Sequence, residues 1–384
     1  MKNKYASIAN FIKKMYQEKS MIPLHAPKFD DTEKKYLNDC IDSTFVSSVG
    51  KYVDDFEKIT ALFTGAASAV AVVNGTSAIH VALRIAGVGR DQEVITQAVT
   101  FVATCNAISY AGACPVFVDV DAATLSLSPE KLDHFLHENA EINASGICTN
   151  KKTGRRISAC LPMHTYGHPA KIDEIANICS SWNIQLIEDC AESLGSFYKG
   201  KHTGLFGAAG IISYNGNKII TTGGGGSIIS SDMAFGKKAK HLTTTAKKPH
   251  QWEFVHDEIG YNYRMPNINA AIGCAQMEKL KNFLSIKRHI ANEYRKFFAS
   301  MDVEFIWEPE HAISNFWLNA IKVADRNERD SFLAYMNEKG ICCRPMWRLM
   351  NRLDIYRHCF AGPLETSEYL EDRLINIPSS VNEL

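Results

Sequence analysis

Short apolar, β-branched runs alternate with helix-like stretches along most of the chain after Asp30. Six such runs stand out: SAVAVV near Val73, EVIT near Val94, PVFVDV near Val118, ISACLPMH near Leu161, IQLIED near Ile187 and GIISY near Ile212. Alternation of this kind predicts a mostly parallel sheet with helices on both faces. Because such sheets bind ligands at the carboxyl ends of their strands, we expect a functional site where these runs end.

The two ends of the chain carry helical patterns. Near the N-terminus, four apolar residues are spaced as on one face of an amphipathic helix: Ile8, Phe11, Ile12 and Tyr16. Around Asn269, the sequence AAIGCAQMEKLKNFLSIKRHIANEYRKFF predicts a long helix that leads into a unit of mixed α+β content. We therefore expect an N-terminal segment at residues 1–29, a large α/β domain at 30–275 and a small α+β C-terminal domain at 276–384.

Composition narrows the classes of partner. The 384 residues are 46% hydrophobic, which suffices for one large core and a smaller second one. The 42 basic and 42 acidic residues give a formal charge of +0, so no overall field attracts nucleic acid or an anionic membrane. Small molecules or a second copy of the chain are the expected partners.

Cysteine spacing and hydropathy add further expectations. The 11 scattered cysteines include no CxxC pair and indicate reduced thiols. No spaced set of His, Cys and carboxylate indicates a metal site. No apolar run is long enough for a signal peptide or a membrane span, which predicts a cytoplasmic location.

Two polar segments that follow apolar runs could hold a cofactor. In NGTSAIHVAL, Thr76 and Ser77 stand where a strand end meets a helix start, and a helix N-terminus attracts phosphate; an ordinary helix cap is the alternative. In IISYNGNKIITTGGGGSIIS, Lys218 could bond to a carbonyl cofactor, or be a solvated loop lysine. The TTGGGG run lacks the GxGxxG spacing of a dinucleotide site, so we expect it to supply backbone flexibility near the cofactor.

Three further residues follow strand ends. Asp189 ends the run IQLIED, and a buried carboxylate there requires a partner such as a protonated pyridine nitrogen; a surface acid clustered with Glu188 and Glu192 is the alternative. Phe101 could stack on an aromatic ring, or lie in the core. His164 in LPMHTYGH is more often a hydrogen-bonded structural histidine, and we assign it no catalytic proton.

Six ordered motifs carry a family resemblance. They are NGTSA, TFVAT with the later PVFVDVD, HTYG, EDCAESLGS, SYNGNK with TTGGGG, and GYNYRMPNINAAIGCAQMEKL. In this order, over about residues 22 to 380, the chain resembles the DegT/DnrJ/EryC1/StrS family of sugar aminotransferases. The resemblance implies an enzyme dependent on pyridoxal 5'-phosphate (PLP) with fold type I, the aspartate aminotransferase-like fold.

The resemblance assigns roles around the cofactor ring. Lys218 matches the Schiff-base lysine, Asp189 the carboxylate that pairs with the pyridine nitrogen, and Phe101 the ring-stacking aromatic. Two positions depart from the commonest pattern: Glu192 stands where many members have glutamine facing the phenolic oxygen, and Gly224 where many have glutamate. A carboxylate beside a phenolate is repulsive unless one of them is protonated or a cation intervenes. The resemblance therefore places Glu192 in the pocket but leaves its hydrogen bond open.

The resemblance also assigns a phosphate site. Thr76 and Ser77 match the phosphate-binding turn, and Ser213 matches the serine that also holds the phosphate. Asn262 in GYNYRM resembles the residue that reaches the phosphate from a neighbouring subunit, with Arg264 beside it. A homodimer with shared active sites is therefore implied.

The implied reaction moves an amino group from glutamate to a ketone, with Lys218 as covalent anchor and general base in turn. The segments STFVSSVGKYVDDFE, NFWLNAI and GICCRPMWRLMNRL are similar to the subgroup that aminates C4 of UDP-4-keto-6-deoxy-N-acetylglucosamine for legionaminic acid or bacillosamine-type surface glycans. The alternative substrate is GDP-4-keto-6-deoxymannose, as in perosamine formation. The candidate substrate contacts are Ser48, Gly50, His164, Arg264, Arg344 and Trp347, although packing of the small domain would explain Arg344 and Trp347 equally well.

Two other functions compete with this one. A sugar dehydratase on the same fold is disfavoured, because those relatives have histidine where this chain has Lys218. A non-catalytic regulator that binds the cofactor or a sugar nucleotide predicts normal folding and no half-reaction with glutamate.

Overall fold

The computed structural model describes residues 2–382 of the chain. Its strands are β1 Ser68–Val72, β2 Glu93–Gln97, β3 Cys114–Val118, β4 Ala140–Ile142, β5 Cys148–Asn150, β6 Ile157–Cys160, β7 Gln185–Asp189, β8 Phe197–Tyr198, β9 Lys201–His202, β10 Ala209–Ser213, β11 Gly226–Ser230, β12 Glu304–Phe305, β13 Ala312–Ile313, β14 Asn319–Lys322, β15 Arg344–Pro345 and β16 Leu374–Ile377. Its helices are α1 Lys2–Met15, α2 Asp31–Asp42, α3 Lys51–Thr64, α4 Gly75–Ile85, α5 Val102–Tyr110, α6 Pro129–Asn139, α7 Ile172–Ser181, α8 Met233–Thr243, α9 Asn267–Phe298, α10 Arg326–Glu338 and α11 Glu365–Glu371.

A seven-stranded sheet forms the centre of the fold, in the order β1-β11-β10-β7-β6-β2-β3. Neighbouring strands from β10 to β3 run parallel, whereas β11 runs antiparallel to both of its neighbours. Each of the six apolar runs is one of these strands, so the predicted, mostly parallel sheet is confirmed. The strand that the sequence pattern missed is β11, which begins at the last glycine of the glycine run.

Helices cover both faces of this sheet because alternate strand residues point to opposite sides. In β1, Ala69 and Ala71 belong to the hydrophobic cluster that contains Phe56 of α3 and Ala270 of α9. Val70 belongs instead to the cluster formed with α4, α5 and α8. The predicted two-sided helix cover is therefore confirmed, and the loops at the carboxyl ends of the parallel strands carry the candidate residues.

The C-terminal part builds a second, antiparallel sheet in the order β12-β14-β16-β15. Helices α1 and α10 share one hydrophobic cluster with this sheet and with the second half of α9. The predicted amphipathic helix is α1, whose Ile8 and Ile12 are fully buried. The predicted long helix is α9, and the proposed domain boundary at residues 275/276 falls inside it.

The structure also bears on membrane-spanning helices and on the state of the cysteines. No helix within residues 2–382 is both long and apolar enough to cross a membrane. All 11 cysteines are free thiols, and three of them are partly exposed.

Candidate active site

A cavity of about 380 Å³ opens where strands of the central sheet end. Its walls come from the ends of β7 and β10, the N-termini of α4 and α5, the loop after β10 and two tryptophans of the C-terminal part. We call it the cofactor cavity. The sequence candidates that line it are Thr76, Phe101, Asp189, Glu192, Ser213, Lys218 and Trp347.

Asp189 is the last residue of β7, and its carboxylate is buried. Its Oδ2 accepts a hydrogen bond from Thr104 Oγ1 at 2.7 Å, and its Oδ1 accepts one from the Ala191 N–H at 3.0 Å. Burial raises the pKa of Asp189, while both hydrogen bonds and the nearby charge of Lys218 oppose that rise. A protonated ring nitrogen would supply a positive charge in direct contact with this buried carboxylate.

Lys218 reaches the same cavity from the loop after β10. Its Nζ donates to Glu192 Oε1 at 3.3 Å and lies 4.0 Å from the centre of the Trp317 ring. Trp317 also donates its indole N–H to the backbone oxygen of Asn217 at 2.7 Å, next to the lysine. The lysine is therefore held by a carboxylate and an indole face, and is not a solvated loop residue.

Glu192 is buried between Lys218 and the backbone of Tyr166. Its Oε2 accepts the Tyr166 N–H at 2.9 Å. Burial raises the pKa of Glu192 to about 7, although the charge of Lys218 acts in the opposite direction. The carboxyl is therefore partly protonated near neutral pH, and a cation lies beside it. Those are the two conditions under which a carboxylate is tolerated near a phenolate.

Tyr166 is a residue whose role the sequence did not predict. Its backbone is left-handed, with φ 57° and ψ 13°, which is unfavourable for a residue with a side chain. Such strain persists only where the surrounding structure enforces it, and it concentrates at functional sites. Here this conformation accompanies a backbone N–H that bonds to Glu192.

Thr76 lies in the first turn of α4, where backbone donors point out of the helix N-terminus. The Asn74 side chain caps this helix and accepts the Ser77 N–H at 2.8 Å. Ser77 is not among the residues that line the cavity, so Thr76 is the better placed of the predicted pair. Gly75 leaves room beside it: a Cβ there would lie 3.2 Å from the Cβ of Ser213.

The last two glycines of the run serve close packing, a role that the prediction of backbone flexibility did not include. A Cβ on Gly226 would lie 2.6 Å from the backbone of Asn74. A Cβ on Gly225 would lie 2.7 Å from Met265 Cε. No side chain fits at these distances, so β11 can approach the start of α4 only because glycine stands there.

Phe101 flanks the N-terminus of α5 and is 49% exposed, so it is not a core residue. Its ring centre lies 6.3 Å from that of Trp347, which also lines the cavity. An exposed aromatic face on a cofactor cavity can stack on a ring. Trp317, from the segment before β14, adds a second indole that the sequence prediction did not include.

His164 is a structural histidine, and its predicted substrate contact is corrected. The ring is fully buried. Its Nδ1 accepts the Ala170 N–H at 3.1 Å, and its Nε2 donates to Glu188 Oε2 at 3.1 Å. Both nitrogens are therefore occupied, and the residue is not among those lining the cavity. The preference for a structural histidine drawn from the residues alone was the better one.

Other predicted contacts lie outside the cofactor cavity of this single chain. Asn262 is exposed, and its Oδ1 accepts from Arg264 Nε and Nη2 at 3.1 and 3.0 Å. Gly50 caps α3, where a Cβ would collide with the Asn267 side chain, so its role here is packing. Ser48, in the same loop, also lies outside the cavity lining.

The donor set of the cavity fits PLP. A helix N-terminus with the hydroxyls of Thr76 and Ser213 suits a phosphate dianion. Buried Asp189 suits a protonated ring nitrogen, and Lys218 offers the amine that an aldehyde requires. The space kept open by Gly75 is consistent with a group bound between α4 and β10.

A mostly buried lysine and a buried aspartate, near the strand ends of a parallel sheet covered by helices on both faces, are what a PLP-dependent enzyme of fold type I requires. This is the class that fold and site define. A family model described as the DegT/DnrJ/EryC1/StrS aminotransferase family matches residues 27–382. The chain belongs to this family, whose members are PLP-dependent aminotransferases. The predicted family, fold class, enzyme class and cofactor are thus confirmed.

Individual proteins of known name are similar to this chain in sequence or in structure. The chain is 36% identical over 359 residues to a GDP-perosamine synthase of Escherichia coli O157:H7, which covers 93% of each chain. It is also 36% identical to a GDP-perosamine synthase of Vibrio cholerae, with 94% of each covered. The structure of the aminotransferase TlmJ from Streptoalloteichus hindustanus superposes with a TM-score of 0.84 at 24% identity, covering 94% of this chain and 93% of that one. The last similarity supports the fold alone.

Proposed function

We propose that this enzyme transfers an amino group from glutamate to C4 of a nucleotide-linked 4-keto-6-deoxy sugar. The observation that carries the proposal is the placement of Lys218 and Asp189 on one buried cavity in a member of a sugar aminotransferase family. When bound, PLP supplies an aldehyde that condenses with amines and a ring that accepts electrons released at the donor's alpha carbon.

The chain's own residues supply the rest of the chemistry. Lys218 anchors the cofactor and, once the donor amine has displaced it, moves a proton from the donor's alpha carbon. Asp189 holds the proton on the ring nitrogen, because a buried carboxylate favours a cation beside it. Once Lys218 has accepted the proton from the alpha carbon it is an ammonium, and Glu192 beside it provides a partner for the charge inside the protein.

Of the two candidate sugars, the GDP-linked one is now the better supported. Two relatives at 36% identity are named GDP-perosamine synthases, which corresponds to GDP-4-keto-6-deoxymannose as substrate. The UDP-4-keto-6-deoxy-N-acetylglucosamine reaction, and with it legionaminic acid or bacillosamine-type glycans, is the second candidate. It rests on the sequence segments that surround Ser48 and Trp347.

A substrate panel tests the proposal. Purified protein reconstituted with PLP is incubated with glutamate and either GDP-4-keto-6-deoxymannose or UDP-4-keto-6-deoxy-N-acetylglucosamine, and 2-oxoglutarate and amino sugar are quantified. We expect turnover with one of the two, and none in a Lys218→Ala control. Absence of turnover with both sugars would refute the proposal. Absence of even the half-reaction with glutamate would favour the non-catalytic regulator.

We also propose a homodimer with shared active sites. Asn262 lies outside the cofactor cavity of its own chain, on the segment that follows an exposed apolar loop. In that loop Trp252, Phe254 and Ile259 are 71%, 78% and 86% exposed. Large apolar side chains that are exposed close together in one loop are typical of an interface. A second copy that covers this loop would bring Asn262 towards the partner's site.

Mixing two inactive variants tests the shared site. Lys218→Ala and Asn262→Ala each damage one contribution, so a mixed dimer would contain one site with both defects and one intact site. After subunit exchange, activity should rise towards about a quarter of the wild-type value, because half of the dimers are mixed. If mixed dimers form, as shown by affinity tags on each variant, and no activity returns, Asn262 does not serve the partner's site.

A further inference from the structure

A second pocket, of about 470 Å³, adjoins the cofactor cavity. We call it the side pocket. It shares Asn217, Trp317 and Trp347 with the cofactor cavity. The residues that belong to the side pocket alone include His25, Arg344, Arg348 and Asn376, which come from the chain before α2 and from the C-terminal part. A molecule that reaches Lys218 can therefore extend into this pocket.

His25 presents an unused hydrogen-bonding ring to the side pocket. Both ring nitrogens are buried and have no partner within residues 2–382. The backbone of Asn217 lies close enough to favour the protonated ring, but the contact does not reach hydrogen-bond geometry. An unpartnered buried polar group destabilises the folded protein, because it has lost its hydrogen bonds to water without replacement. Such groups are rare in folded proteins unless a ligand or water meets them.

Asn376 of β16 adds a second unused group to the same pocket. Its Oδ1 is buried and has no hydrogen-bond partner in the described part of the chain. Burial raises the pKa of the Tyr166 phenol and the Asn376 side chain lies close enough to oppose that rise, but Asn376 Oδ1 and the Tyr166 hydroxyl do not reach hydrogen-bond geometry. The residue is paired in the sheet with Arg344 of β15, so its backbone position is fixed. An acceptor and an imidazole, carried by opposite ends of the sequence, thus line one pocket, and neither group is hydrogen-bonded within residues 2–382.

The charge state of His25 indicates what it can bind. Burial lowers the pKa of His25 well below its ordinary value, and the charges of Lys287 and Lys218 lower it further. A neutral imidazole offers one donor and one acceptor. That pair matches a sugar hydroxyl, which can accept from the one nitrogen and donate to the other. The exposed guanidinium groups of Arg344 and Arg348 lie on the same pocket and suit a diphosphate.

We propose that His25 and Asn376 bind hydroxyl groups of the hexose ring of the ketosugar, with its diphosphate at Arg344 and Arg348. The inference rests on the proposed function and adds to it the residues that hold the sugar. Trp347 lies between the two cavities, where its ring can cover a face of the hexose. In this proposal the side pocket serves the half-reaction with the ketosugar.

His25→Phe tests this proposal because it keeps the ring and removes both nitrogens. A matched control exists in His168, whose two ring nitrogens are also buried without a partner in the described chain but line neither cavity. Loss of two neutral hydrogen bonds at roughly 0.5–1.5 kcal/mol each predicts about a tenfold fall in kcat/KM for the ketosugar. The rate of the glutamate half-reaction, followed by cofactor absorbance, should stay within about twofold of wild type, as should both rates in His168→Phe.

Two further measurements distinguish an effect of the substitution on folding from an effect on sugar binding. Apoprotein carrying His25→Phe should melt no lower than wild type, because an unsatisfied polar group has been replaced by an apolar one. GDP-mannose or UDP-N-acetylglucosamine, as stable analogues, should raise the melting temperature of wild type more than that of the variant. His25→Asn, which retains a donor and an acceptor, should recover part of the lost kcat/KM.

The outcomes separate the two proposals. If wild type converts a ketosugar and His25→Phe converts it equally well, the proposed function stands and the role of His25 is refuted. If the variant loses both half-reactions to the same extent, His25 acts on the cofactor site and the sugar contact is wrong. If wild type converts no ketosugar, the proposed function fails and the role of His25 fails with it.

Discussion

Replacement of Glu192 by glutamine measures what the buried carboxylate contributes to the stability of the protein, because it removes a charge and almost no volume. Glu192 is buried, with Lys218 Nζ 3.3 Å from its Oε1 and the Tyr166 N–H bonded to its Oε2. Burial raises the pKa of this carboxyl from 4.5 to about 7 despite the opposing charge of Lys218. The cost of removing the carboxylate from water therefore exceeds the gain from its ion pair.

The contribution of Glu192 to the free energy of unfolding depends on pH. Between about pH 4.5 and 7 the folded protein holds a proton that the unfolded chain has released, so the free energy of unfolding falls as the pH rises. At about 1.4 kcal/mol per pKa unit, the cost is about 3 kcal/mol at pH 8 and under about 1 kcal/mol at pH 5. Glutamine carries no charge at either pH, so the variant escapes this cost.

Thermal unfolding of the apoprotein measures the difference. An unfolding entropy of about 2.1 cal/mol/K per residue, over 384 residues, converts the change between the two pH values into about 3 °C. The melting temperature of Glu192→Gln minus that of wild type should therefore be about 3 °C larger at pH 8 than at pH 5. Glu174→Gln, at an exposed position of α7, is the control. A difference that is constant, or smaller at pH 8, would show that Lys218 stabilises the carboxylate more than burial destabilises it.

Two other substitutions test the site directly. Lys218→Ala should abolish both the visible absorbance of the bound cofactor and amino transfer from glutamate. The control Lys201→Ala, at an exposed position of β9, should preserve both. Absorbance that persists without Lys218 would mean that another lysine holds the cofactor. Thr104→Val removes the hydroxyl that donates to Asp189 and should raise the pKa of that carboxyl further. Because a hydrogen bond to a charged group contributes about 1.5–3 kcal/mol, kcat/KM should fall about 10- to 100-fold, with its acid limb at higher pH. An unchanged pH profile would contradict the role of Asp189.

The strands that position the site could be predicted from the sequence because they are buried between two helix layers. A strand covered on both faces is apolar along its whole length, and this pattern needs no knowledge of distant residues. β11 escaped prediction because its apolar part is only SIIS and glycines precede it. The reason for those glycines lies in another part of the chain, the backbone of Asn74, and no local pattern records such a contact.

The same distinction, between local sequence pattern and contacts with distant segments, applies to the residues of the site. Asp189 and Lys218 follow apolar runs, so the topology of the sheet brings them together and sequence order predicts this. Tyr166 does not follow from any such rule, because its left-handed backbone is imposed by packing and its useful group is a backbone N–H. His164, two positions earlier in the same motif, fits two predictions from the sequence, a structural histidine and a substrate contact, and only the first agrees with the structure. Its ring is bonded on both sides to other segments of the fold.

The same reasoning explains why the type of reaction could be predicted more readily than the substrate. The groups that handle the amine lie at or just after strand ends of the central sheet. Those proposed to hold the sugar come from the chain before α2, from β15 and the segment after it, and from β16. His25 and Asn376 are far apart in the sequence and meet only once the small sheet has packed. A change in those segments can alter the preferred sugar without disturbing Lys218 or Asp189. Substitutions at the side pocket should therefore shift the choice between GDP- and UDP-linked ketosugars while the half-reaction with glutamate proceeds unchanged.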